Sequence, residues 1–186
     1  MRRQRRRWGG WLAGAAAVWL AWGSAPLSAQ SVRITPVARG EQVLVTFELS
    51  DAYTDQVRAA IESGLTATFT YDVELRRATP LWVDRMIDVA RVAASVTFDN
   101  LTRRYQVSIM RDGRVEESWV TEDEDAVRRA VTFFNRLPLF STRKLEPNAE
   151  YYIRVKARTR PHNALFFLPW DRDGALGSAT FTFLPQ

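Results

Sequence analysis

The amino-acid sequence predicts a mainly β protein: an antiparallel β-sandwich-like domain of seven to nine strands, with two short helices between strands. Three observations carry this. Leu65, Ala67, Phe69, Tyr71, Val73 and Leu75 alternate with Thr66, Thr68, Thr70, Asp72, Glu74 and Arg76, the period-two pattern of a half-buried strand. Asp112-Gly113 separates two apolar runs and marks a hairpin, because a type I′ turn needs positive φ at both central positions. Two short segments, near 54–63 and 122–136, switch to the i, i+3, i+4 spacing of an amphipathic helix.

The N-terminus reads as a leader. Arg2, Arg3, Arg5, Arg6 and Arg7 form a positive region, Trp11 to Trp22 an uncharged run, and Leu27-Ser28-Ala29 a small-residue cleavage site. The expectation is a signal peptide over 1–29, cleaved near Ala29, and a single β-rich domain over 30–186 that is periplasmic or secreted. The alternative is an N-terminal membrane anchor, since Trp8 to Ala29 carries no charge. The absence of cysteine excludes a lipoprotein anchor and leaves stability to packing rather than disulfides. The paired arginines are followed by Arg7-Trp8-Gly9, a poor fit to the twin-arginine pattern.

The leader also accounts for the positive charge. The chain has 26 Lys+Arg against 21 Asp+Glu. With five arginines in the leader, the remainder balances at 21 against 21. A neutral domain lacks the cationic surplus that nucleic-acid binding requires.

Along the chain, Val32 and Ile34 begin a first strand, ended near Pro36 and Gly40, and Val43, Val45, Phe47 and Leu49 alternate in a second. Val57, Ala60 and Ile61 give a helix stopped by Gly64. The long strand from Leu65, a run from Met86 to Phe98 and a return through Tyr105, Val107 and Ile109 form an antiparallel meander turning at Asp99-Asn100. Leu101 and Tyr105 have the bulk to plug the end of the core at this turn. After the Asp112-Gly113 hairpin, Thr121 and Glu124 have the spacing of a capping box, opening a helix that buries Ala126, Val127, Ala130, Val131 and Phe134 and ends at Pro138. Tyr151, Ile153, Val155 and Ala157 mark a further strand, and Ala179, Phe181 and Phe183 the last. Val57–Ile61 echoes Val127–Val131 seventy positions on. Duplication and chance both account for the echo.

Candidate chemistry is sparse. His162 is the one histidine and there is no cysteine, so a zinc site of the usual kind cannot form within one chain. Gly-x-Ser-x-Gly and glycine-rich phosphate loops are absent. Glu122-Asp123-Glu124-Asp125 fits a helix N-terminus. Asp171-Arg172-Asp173-Gly174 resembles half a calcium loop, but Thr180 stands where the closing glutamate belongs. No cofactor is expected. Two features suit binding: Arg154, Lys156, Arg158 and Arg160 on one face of a strand, and Phe166, Phe167 and Trp170 within the oily run from Ala164 to Trp170. The basic row equally suits a solvated face paired to acids on its neighbour, and the oily run a buried strand.

The block Leu75–Asp84, followed by Phe98-Asp99-Asn100-Leu101-Thr102-Arg103-Arg104-Tyr105-Gln106-Val107, resembles an exported bacterial family, the domain of unknown function 4390. The resemblance extends roughly from Ile34 to Leu184 and rests most on Leu101-Thr102-Arg103-Arg104-Tyr105. The C-terminal third, at Pro161-His162-Asn163-Ala164-Leu165, departs from the family pattern. The family supplies no catalytic residues. Some members are encoded beside a membrane sensor kinase, so the resemblance implies such an envelope protein as one expected partner. The basic row points to the other, an anionic envelope polymer. The expected function is a non-catalytic envelope binding module. The alternative is an envelope-glycan hydrolase using paired carboxylates.

Overall fold

A computed structural model describes residues 32–49, 51–79, 84–161 and 176–185. The expected leader, His162, Phe166, Phe167, Trp170 and the Asp171–Gly174 segment lie outside the described residues.

Nine strands occur among the described residues, most of them with alternating apolar and polar side chains. They are β1 (Val32–Arg39), β2 (Gln42–Leu49), β3 (Ala67–Arg77), β4 (Arg85–Asp99), β5 (Arg104–Arg111), β6 (Arg114–Thr121), β7 (Phe133–Ser141), β8 (Glu150–Pro161) and β9 (Leu176–Thr182). The helices are α1 (Asp55–Glu62) and α2 (Glu124–Thr132). All strand pairs are antiparallel. One sheet has the order β1-β2-β7 and the other β6-β5-β4-β3-β8-β9, so the expected meander is present and β6 extends it. Val43, Val45, Phe47 and Leu49 of β2 and Phe69, Tyr71, Val73 and Leu75 of β3 are buried in one core, which gives the sandwich-like arrangement. Pro36 is tolerated inside β1 because β1 is an edge strand, where a missing ladder donor costs little.

Two details join the sheets at their margins. Gly177 of β9 lies so close to β1 that a Cβ there would stand 2.6 Å from the carbonyl oxygen of Val32. On the other side, Arg111 Nη1 donates to the carbonyl of Pro138 in β7 at 2.9 Å.

The two helices perform the same task in opposite directions: α1 takes the chain from β2 into the larger sheet, and α2 returns it from β6 to β7. Both bury residues one turn apart, Val57 with Ile61 and Val127 with Val131. The echoing positions thus meet the same packing requirement in both helices.

Several expectations are corrected. The cap of α2 is Asp123, whose carboxylate accepts from the amide of Asp125 at 2.8 Å; Thr121 instead accepts from the amide of Asp123 at 3.0 Å. The helix ends at Thr132, six residues before Pro138, and the following segment is strand β7. Extra residues at Asn135–Arg136 and at Leu139 break its register with β2. Such bulges erase the period-two signal, and Arg136 takes φ 50° to form the first. Leu101 is 95% exposed and plugs nothing.

The Asp99 turn works otherwise. Asp99 Oδ1 accepts from the amides of Leu101 and Thr102 at 2.8 and 3.3 Å, and these bonds hold its carboxyl below the usual carboxylate range. Arg103 takes the left-handed conformation, φ 59°, and places its guanidinium over the Phe98 ring. Tyr105 is buried against Phe98, ring centroids 4.7 Å apart. Replacing Tyr105 with Ala should therefore cost about 3–5 kcal/mol, as for other aromatic core truncations. Arg104 reaches Glu122 at 2.9 Å in an exposed pair, so Arg104→Ala should stay within about 0.5 kcal/mol. Urea melts of the two variants separate these effects; equal midpoint shifts would refute the assignment.

Candidate functional site

The core takes one face of the six-stranded sheet; the other is turned outward. On β3, burial of Phe69, Tyr71, Val73 and Leu75 sends Thr68, Thr70, Asp72, Glu74 and Arg76 to the outer face. On β8, burial of Tyr151, Ile153, Val155 and Ala157 does the same for Tyr152, Arg154, Lys156 and Arg158. Antiparallel pairing then sets Arg154 opposite Glu74, Lys156 opposite Asp72, Arg158 opposite Thr70 and Arg160 opposite Thr68.

The predicted basic row is divided. Glu74, 6% exposed, accepts at Oε2 from Arg154 Nε (3.0 Å), Arg154 Nη2 (2.6 Å) and Arg76 Nη1 (2.9 Å). Lys156 Nζ lies 3.0 Å from its Oε1. Burial pushes the Glu74 carboxyl up, but hydrogen bonds from Arg154, Arg76 and Lys156 outweigh it and hold the pKa at about 2. Asp72 is held by Arg91 of β4 at 2.8 Å. Arg154 and Lys156 are thus paired to an acid on the neighbouring strand, the arrangement anticipated as the alternative to binding. Arg158 is exposed, and among the described residues no carboxylate pairs with it. Phe166, Phe167 and Trp170 lie outside the described residues.

Three residues absent from the sequence-based site complete the network. Arg76 Nη2 donates to the carbonyl of Asp84 at 3.3 Å, and Tyr152 donates its hydroxyl to Asp84 Oδ2 at 2.7 Å. The Tyr152 bond, aided by the amide of Thr79, lowers the Asp84 pKa. No local pattern identifies these residues, because their grouping depends on which strands pair. Asp84 and Glu150 border a hollow of about 410 Å³, and a second of about 320 Å³ lies on the other side of Arg77. Asp84 is kept ionised there, the opposite of what a proton donor for glycoside cleavage needs. No group of His, Cys, Asp and Glu suited to a metal ion occurs among the described residues. None of their helices is long and apolar enough to cross a membrane.

Fold and site define a β-sandwich protein with one polar sheet face directed outward and furnished with fixed cations. It belongs to the DUF4390 family: the family model, a domain of unknown function, matches residues 27–163. The match starts ahead of Ile34 and stops short of Leu184, leaving β9 outside it. No curated protein and no solved structure matches the chain.

Proposed function

We propose that the protein is an exported, non-catalytic binding module of the bacterial envelope that uses the outer face of the six-stranded sheet. The observation carrying this reading is that face itself. Among the described residues the helices and the smaller sheet pack on the inner face, and on the outer one Arg76 and Arg154 are held by defined hydrogen bonds. A surface fixed in this way binds without a large loss of side-chain freedom. Glu74, Asp84 and Asp99 are all displaced downward, which suits none of them to the proton-donor role of a hydrolase.

Export rests on the leader. N-terminal sequencing of the exported protein should begin at Gln30 or within a few residues. A full-length chain remaining in membranes after a carbonate wash would instead establish the anchor. For the binding role, tagged protein should retain an envelope polymer or an envelope protein, a membrane sensor kinase included, from envelope extract. Release of soluble fragments from purified envelope glycan by the wild type, abolished in Asp84→Asn, would replace this reading with the hydrolase.

A further inference from the structure

We infer that the part of the outer face around Arg158, Thr68, Thr70 and Ser95 binds phosphate groups of an extended anionic polymer. This rests on the binding-module reading and assigns it a place and a ligand chemistry.

The face is uneven. At the Glu74 end, each cation on β8 stands opposite a carboxylate: Arg154 opposite Glu74 and Lys156 opposite Asp72. Two residues further along, the β3 partners change to Thr70 and Thr68, while β8 continues with Arg158 and Arg160. The next strand, β4, brings Ser95 opposite Thr68 and Ala93 opposite Thr70. The acids of β3 therefore stop where Arg158, unpaired among the described residues, begins.

The hydroxyls differ in the same way. Thr66 and Thr97 bond each other at 2.7 Å, and Ser108 and Ser118 at 3.0 Å. On the same face, the hydroxyls of Thr68, Thr70 and Ser95 have no hydrogen-bond partner among the described residues. Three unpartnered hydroxyls and one unpaired guanidinium thus share three adjacent strands, with strand spacing of about 4.8 Å and same-face residues about 7 Å apart.

This is the donor set a phosphate ester requires. Its oxygens accept several hydrogen bonds at once, and guanidinium presents them in a planar fork. Among the described residues no carboxylate stands at these positions to compete. A protein partner is less well served, since the platform offers no aromatic anchor of the kind that dominates protein interfaces. A lone phosphate would meet one cation, whereas a polymer with recurring charges also meets the spare N–H groups of Lys156, two residues along β8.

The test measures binding of long-chain polyphosphate to the full chain and variants, beside inorganic phosphate and phosphatidylglycerol vesicles. Arg33 of β1, exposed in the other sheet, controls for simple loss of charge and for binding by the leader arginines. Arg158→Gln should weaken polyphosphate binding about tenfold, as expected for a charged hydrogen-bonding group, and Arg33→Gln less than about twofold. Thr70→Val preserves side-chain shape and β-branching, so its expected loss of about threefold reports the hydroxyl rather than the fold. Equal losses in Arg158→Gln and Arg33→Gln would overturn the site. Arg158-dependent binding seen only with vesicles, or only with inorganic phosphate, would overturn the polymer. Retention on envelope extract that survives Arg158→Gln defeats this inference and leaves the binding-module reading standing. A chain that is never exported defeats that reading instead, whatever polyphosphate does.

Discussion

Glu74→Gln should destabilise the protein by about 3–5 kcal/mol at neutral pH, the range found when one partner of a buried ionic cluster is removed. The substitution conserves volume but leaves Arg76, Arg154 and Lys156 converging on a neutral amide. Their side chains are 16%, 27% and 38% exposed, so water relieves part of the repulsion and the lower end of the range is expected. The pH dependence identifies the cause. In the folded protein Glu74 titrates at about 2, against an ordinary value of 4.5. A depressed folded pKa stabilises fully above the unfolded value, and the contribution disappears as pH falls through the folded one. The displacement corresponds to about 3 kcal/mol. Urea midpoints of wild type and Glu74→Gln should therefore differ most at neutral pH and converge from about pH 4 downward. A gap that persists undiminished at about pH 2 would show that shape, not charge, makes Glu74 matter.

Phe47→Ala should cost about 3–5 kcal/mol, since it truncates a fully buried aromatic. Phe47 of β2 sits 5.2 Å from the Tyr71 ring on the opposing sheet and 4.8 Å from Phe134 of β7. Tyr71 and Phe134 close the trio at 5.1 Å. Tyr71 also donates its hydroxyl to the carbonyl of Val131, in the last turn of α2, where helix carbonyls lack intrahelical partners. Burial pushes the Tyr71 pKa up, so the hydroxyl remains a donor. Tyr71→Phe keeps the ring and leaves the Val131 carbonyl without this donor, at about 1–3 kcal/mol. Urea unfolding should place Phe47→Ala well below Tyr71→Phe. The reverse order would mean that the tie to α2, rather than the packed trio, holds the sheets together.

The inner and outer faces of β3 and β8, the tight turn at Asp112-Gly113 (φ 48° and 81°) and the buried pairs Val57–Ile61 and Val127–Val131 of the helices were decided by the sequence itself, whereas Phe134, expected on the second helix, lies in β7. Each follows from side-chain geometry over a few neighbouring residues. Strand β7 escaped because two bulges and Pro138 remove its alternation, leaving an apolar run that extends the pattern of α2. The Thr121–Glu124 spacing did not identify the cap, because Asp123 supplies a closer acceptor to the first turn. Leu101 carries a core residue's chemistry, yet the left-handed turn at Arg103 leaves it exposed. The site was half legible: the sequence placed Arg154, Lys156, Arg158 and Arg160 on one face. It could not divide them, because the acid that neutralises Arg154 and Lys156 lies 80 residues from Arg154 in the chain. Strand alternation is a local property written in every pair of residues. The choice of neighbouring strand is made by the packing of the whole core, and only that choice set Glu74 beneath two cations and Thr70 beside the third.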